Sequence, residues 1–259
     1  MPVLIALVAF LASVLLPVSP VHAQPLNTIL APSGKLRVGV YPGSPTSLIE
    51  WPGTGEKRGV AVEVGAELAR RLGLELELVT FRRPAEVLEA LKDGRIDLAL
   101  TNATPDRARL VDFGPPVVTL ELGFLVLSQS TSTTLSALDR PEITVGVSKG
   151  STSEKALPPR LPSARIATAA SLDEAAAMLL RGEIEAFATN KAVLFEMADR
   201  HPGTTVLDAT WGTEHLALAL PKGREVARAY LDTFSRDPDI ADLIRGAARR
   251  AGLRGQAPQ

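Results

Sequence analysis

Two nine-residue stretches decide the fold: "GRIDLALTN", Gly94–Asn102, and "GEIEAFATN", Gly182–Asn190. Both read Gly-x-Ile-acid, three mostly apolar residues, then Thr-Asn. Each follows a helical stretch, "PAEVLEALKDG" (Pro84–Gly94) in one case and "SLDEAAAMLLRG" (Ser171–Gly182) in the other. Each is therefore read as a helix stopped by Gly and followed by a buried strand. Farther upstream the correspondence returns. "KLRVGVYPG" (Lys35–Gly43) and "EITVGVSKG" (Glu142–Gly150) share Val-Gly-Val-x-x-Gly and read as strands ending in turns.

Between the first two strands lies "GVAVEVGAELARRLG" (Gly59–Gly73), with Val60, Val64, Leu68 and Leu72 on one helical face and Gly73 as its stop. "LELELVTF" (Leu74–Phe81) alternates with period two, as a strand does. Strands alternating with helices imply βαβ units, a mainly parallel sheet and right-handed crossovers. Two half-chains of one topology imply two lobes. Ligands of open α/β sheets bind at the C-terminal strand ends, where each Thr-Asn lies. The expected fold is α/β, with two βαβ lobes joined by two hinge strands around a central cleft.

"GFLVLSQS" (Gly123–Ser130) suits a strand leaving the first lobe, and "HLALALPKG" (His215–Gly223) a late strand. The helical stretches "REVARAYLDTFSR" and "IADLIRGAARRAG" belong to neither repeat and are expected to pack back on the first lobe. The boundaries that follow are 24–119 with 216–259 for lobe 1, and 120–215 for lobe 2. The tail "LRGQAPQ" reads as frayed.

Composition excludes several functions. The 259 residues are 46% hydrophobic with a net charge of −1, which offers no nucleic-acid footprint. Three His and no Cys leave little for a zinc site and rule out a thiol nucleophile or a disulfide. Neither a cofactor nor a metal is expected. "VLIALVAFLASVLL" (Val3–Leu16) is short for a membrane span and suits a signal-peptide core, with Val21-His22-Ala23 as the cleavage site. No basic residue precedes Lys35, so the usual n-region charge is missing. The expected product is an exported periplasmic chain beginning near Gln24, with residues 1–23 as signal peptide and no lipid anchor.

With these elements in order, the chain resembles the bacterial extracellular solute-binding proteins of family 3, the periplasmic receptors of polar amino-acid ABC importers. "LKDGRIDLALTNATPDRARLVDFGPPV" (Leu91–Val117) carries the resemblance best, supported by Gly59–Gly73, Val145–Leu157 and Gly182–Leu194. It implies closure of two lobes on one small solute, a membrane permease as partner, and a monomer.

"TPDR" (Thr104–Arg107) reads as a helix start: Thr104 caps, Pro105 suits the first position, and Arg107 lies in the first turn. From the residues alone Arg107 is either a carboxylate clamp or a surface residue paired with Asp112 or Glu121. The resemblance implies the clamp. In "GSTSE" (Gly150–Glu154), Ser151-x-x-Glu154 fits a capping box, and free N–H groups at Ser151 and Thr152 are expected to face the same anion. The resemblance places Thr152, Leu100 and Asn102 at contact positions, and Tyr41 at the cleft wall.

Two positions depart from the family pattern. Where receptors of this kind carry an Asp for the ligand's α-ammonium, this chain has Asn190; where a second acid often follows the first strand, it has Tyr41. A buried ammonium without a countercharge costs several kcal/mol. Two readings follow. The solute is anionic and lacks an amine, with Asn102 and Asn190 as paired amide contacts; or another acid, Glu50 or Glu214, takes over the ammonium. The function expected is binding of a small anionic solute, whether an amino acid, a derivative or a small carboxylate, for an importer. Rival readings are an accessory or sensor module of an oxidoreductase or signalling system, and a dehydratase with Glu214 or His215 as general acid.

Overall fold

The computed structural model describes residues 25–51 and 53–257. The expected signal peptide and its cleavage site lie outside the described residues. Strands are β1 (Lys35–Val40), β2 (Ile49–Glu50), β3 (Lys57–Arg58), β4 (Glu75–Thr80), β5 (Leu98–Asn102), β6 (Val111–Leu127), β7 (Thr144–Ser148), β8 (Arg165–Ala169), β9 (Ala186–Asn190), β10 (Thr204–Val206) and β11 (Gly212–Pro221). Helices are α1 (Leu26–Leu30), α2 (Val60–Leu72), α3 (Pro84–Lys92), α4 (Pro105–Ala108), α5 (Leu135–Leu138), α6 (Thr152–Ala156), α7 (Leu172–Leu180), α8 (Lys191–Arg200), α9 (Glu225–Arg236) and α10 (Pro238–Arg250). A short 3-10 turn at Pro158–Arg160 follows α6.

The main sheet runs β4-β1-β5-β11-β6-β9-β7-β8, with β10 beside β6. Read from either edge, the order is the same: an outer strand, the Val-Gly-Val strand, the Thr-Asn strand, then an antiparallel strand. Val38 and Gly39 pair with Leu98 and Ala99. In the second half Val145 and Gly146 pair with Ala186 and Phe187, the equivalent residues. The two half-chains therefore share register as well as topology.

The repeated motif has a packing cause. A side chain on Gly39 would sit 2.3 Å from Cδ1 of Ile96, and one on Gly146 2.4 Å from Cδ1 of Ile184. Each Ile of Gly-x-Ile-acid thus fills the space that its partner Gly leaves open. The acids also correspond. Asp97 accepts from the backbone N–H of Arg37 at 3.2 Å, and Glu185 from that of Thr144 at 2.6 Å. Asp97 is fully buried and further receives the guanidinium groups of Arg37 and Arg224. The motif is a means of stapling the third strand of each unit to its first.

Apolar side chains cover both faces of each half. Val60, Val64 and Leu68 of α2 meet Leu231 and Phe234 of α9 and Ile244 of α10 in one core. Val87 and Leu91 of α3 close the opposite face with Ile96. The two C-terminal helices thus lie on the first unit. In the second unit Leu179, Ile184 and Phe187 pack on one face, and Phe124, Val145, Leu157 and Trp211 on the other. Gly73 ends α2 in the left-handed conformation, with φ of 64°.

Two expectations are corrected. The strand expected at Gly123–Ser130 starts at Val111 and runs through Pro115 and Pro116. Prolines cannot donate to a ladder, and the register against β11 shifts on both sides of the Ala217–Pro116 pair. β6 consequently pairs with β11 along its first part and with β9 along its last. As far as Ala257 the tail, expected to fray, is attached. Glu121 N–H donates to Gly255 O at 2.9 Å and Ala257 N–H to Thr119 O at 3.1 Å. Arg254 pairs with Asp199 and covers the Phe195 ring, both on α8. Polar composition hid this attachment, because backbone pairing leaves no periodic trace in so short a segment.

Candidate functional site

The C-terminal ends of β1, β5, β7 and β9 meet at one cleft, together with α4, α6 and the start of β11. About 560 Å³ there is free of protein atoms, part of it open to solvent. Tyr41, Leu100, Asn102, Arg107, Ser151, Thr152 and Asn190 all line it. Glu50 instead lines a separate surface groove, and His215 is exposed outside the cleft.

Arg107 reaches the cleft because of its cap. Thr104 Oγ1 accepts from Arg107 N–H at 3.3 Å, with Pro105 in the first position, so Arg107 falls in the first turn. Its side chain folds under the strand end, where Nη1 donates to Thr101 Oγ1 at 2.7 Å. It is 6% exposed. The alternative surface pairings do not occur: Asp112 pairs with Lys222, and Glu121 with Lys191. Among the described residues no carboxylate lies within salt-bridge distance of Arg107, so its remaining donors are available to an anion.

The opposite charge is Glu214, near the start of β11 and 8% exposed. Burial pushes its carboxyl up to about 7, opposed by the charge of Arg107 and a hydrogen bond from Asn190. That bond runs from Asn190 Nδ2 to Glu214 Oε1 at 2.8 Å. Burial likewise pushes the Tyr41 phenol up to about 12, so it stays protonated. Its hydroxyl donates to Ser44 at 3.3 Å.

The Thr-Asn endings prove to be structural as well as cleft-lining. Asn190 Oδ1 caps α8 by accepting from Val193 N–H at 3.0 Å, and its amide donates to Glu214. Asn102 Oδ1 accepts from His215 N–H at 3.2 Å, and its Nδ2 reaches Thr152 Oγ1 across the cleft at 3.2 Å. Both amides thus grip neighbouring residues of β11. Asn102 and Asn190, expected as paired amide contacts to the ligand, line the cleft and are also engaged within the protein. For Ser151 the expected free N–H is corrected. Its hydroxyl caps α6 through Glu154 N–H, but its own N–H donates to Ser148 O at 3.0 Å. Glu154 reaches back to the N–H of Gly150, one residue before the cap, at 2.5 Å, so the expected capping box is shifted by one residue.

Ser148, Ser153, Thr189 and Thr46 also line the cleft and were not singled out from the sequence. Ser148 was legible there: it occupies the place in the second Val-Gly-Val repeat that Tyr41 holds in the first. Trp211 is core, donating its indole N–H to Gly123 O at 3.1 Å, whereas Trp51 stacks under Arg58 at the surface.

Two sheet-centred units, bridged by β6 and β11 and facing each other across a buried Arg and a buried Glu, define a two-lobed binding protein. The chain belongs to the bacterial extracellular solute-binding proteins, family 3, whose model matches residues 36–239. It is similar to a glutamine-binding protein of Geobacillus stearothermophilus, 28% identical over 73% of each chain. It is also 26% identical to a membrane-bound lytic murein transglycosylase F of Idiomarina loihiensis, over 98% of this chain but 55% of that longer one. Among solved structures, an ancestral amino acid-binding protein described as a precursor of cyclohexadienyl dehydratase superposes with a TM-score of 0.74. The two are 25% identical, over 87% of this chain and 98% of that one.

Proposed function

We propose that this chain is the periplasmic amino-acid receptor of an ABC importer. Arg107 takes the ligand's α-carboxylate and Glu214 its α-ammonium. The observation that carries the reading is the burial of Glu214 in the cleft that holds Arg107. It supplies the countercharge that Asn190 and Tyr41 lack, and so favours an amino acid over an amine-free carboxylate. The amino-acid-binding relatives support the same choice. Residues 24–119 with 216–259 form one closing body and 120–215 the other, and ligand favours the closed arrangement because both bodies contribute contacts.

The dehydratase reading draws on the same Glu214, which is half-protonated near neutral pH. Against it, Asn190 donates to the Glu214 carboxylate and so favours the anion. Calorimetry with L-glutamine and L-alanine, each against its amine-free analogue (glutaramate, propionate), tests the proposal. Removing the amine is expected to weaken binding about 100-fold. Equal affinity within each pair would refute the role of Glu214.

A further inference from the structure

We infer that the ligand's side chain is uncharged and polar, and that the hydroxyls of Ser148, Ser153 and Thr189 select it. The inference rests on the amino-acid reading above and narrows it. Arg107 and Glu214 are the charged residues of the cleft lining. A zwitterionic α-carbon group uses both. A third charge, on the side chain, would enter without a partner, and an unpaired buried charge is costly whichever its sign.

The rest of the lining is rich in hydroxyls. Ser148 and Ser153 are buried and Thr189 half-buried. None of the hydrogen bonds among the described residues uses their Oγ atoms. Thr101, by contrast, is occupied by Arg107, and Thr46 by Ser44. Free hydroxyls both donate and accept, so they suit an amide, hydroxyl or similar neutral group. Buried groups left unpaired by an aliphatic side chain would count against it.

The exits from the cleft favour the same class. Beyond the Asn102–Thr152 bridge lies a groove with Asp106, Arg109 and Lys155. Asp106 is already paired with Arg109 at 2.5 Å and lies 3.9 Å from Lys155. A basic side chain leaving there would meet two cations. On the other side Leu172 stands between the cleft and a second groove.

Calorimetry at about pH 8.5, where Glu214 is ionised, should compare L-serine, L-threonine and L-glutamine with L-alanine, L-arginine, L-lysine and L-glutamate. The best neutral polar ligand is expected to bind about 100-fold more tightly than any charged one. Ser148→Asp, or Thr189→Asp if the first fails to fold, is expected to shift preference toward L-arginine and L-lysine. A charged amino acid bound as tightly as the best neutral one by the unmodified protein would overturn the inference and leave the amino-acid reading standing. L-alanine bound best would overturn the role of the hydroxyls. Propionate or 3-hydroxypropionate bound as tightly as its parent amino acid would instead overturn the amino-acid reading itself.

Discussion

Acidification from about pH 8 to about pH 5.5 should weaken amino-acid binding about 30-fold, through Glu214 alone. The free carboxyl titrates at about 7 because burial outweighs the help of Arg107 and Asn190. Only the anion can pair with an ammonium, so each pH unit below 7 costs about tenfold in affinity, or about 1.4 kcal/mol. The same shift acts on the unliganded protein in the opposite direction. Between 4.5 and about 7 the folded chain keeps a proton that the unfolded chain has lost, so stability falls as pH rises through that window. The loss is about 3 kcal/mol, from the rise from 4.5 to about 7. A bound ammonium would offset it.

The assay is titration calorimetry near pH 6 in two buffers of different ionisation enthalpy. Binding should release about one proton per ligand there and none above about pH 8.5. Glu214→Gln should abolish the pH dependence and the release. Affinity unchanged between pH 5.5 and 8, with no proton release, would refute the placement of the ammonium at Glu214.

Three further outcomes are expected. Arg107→Ala should weaken binding by at least about 100-fold while retaining a cooperative thermal transition, because the carboxylate loses its charged donor; unchanged affinity would remove the clamp. Asp97→Asn should destabilise by about 3–5 kcal/mol, since it strands the Arg37 and Arg224 charges, whereas Glu185→Gln in the equivalent place should cost only about 1 kcal/mol; urea unfolding of both variants checks the contrast. Gly39→Ala should cost about 1–3 kcal/mol, chiefly through the contact with Ile96, and Ile96→Val in the same chain should recover much of it by removing Cδ1; lack of any recovery would mean that Val87 or the strand itself, not Ile96, resists the added methyl.

The two-fold repeat was legible because its elements have strong local signatures. Gly73, Gly94 and Gly182 stop helices, Val-Gly-Val marks each first strand, and Thr104, Ser151 and Ser171 cap helices as their spacing suggests. Arg107 was legible for the same reason, since its place in the turn after Thr104 and Pro105 is local. The reach of β6 was not, because Pro115 and Pro116 argue against a strand until the shifted register of β11 is seen. Nor was the attachment of the tail, whose partners on β6 and α8 are remote in sequence.

The sequence by itself determined the two units and their order, which follow from spacing over a few residues, while the place of Arg107 in the cleft was implied only by the family resemblance. Only the tertiary structure shows that Glu214 lies buried in the cleft while Glu50 lines a separate groove. It also shows that Asn190, a cleft-lining residue, donates to Glu214. An electrostatic role depends on burial and on which charges face each other. For Glu214 the facing charge is Arg107 and the facing dipole is the Asn190 amide, brought from distant parts of the chain by the pairing of β11 with β5 and β6 and of β6 with β9.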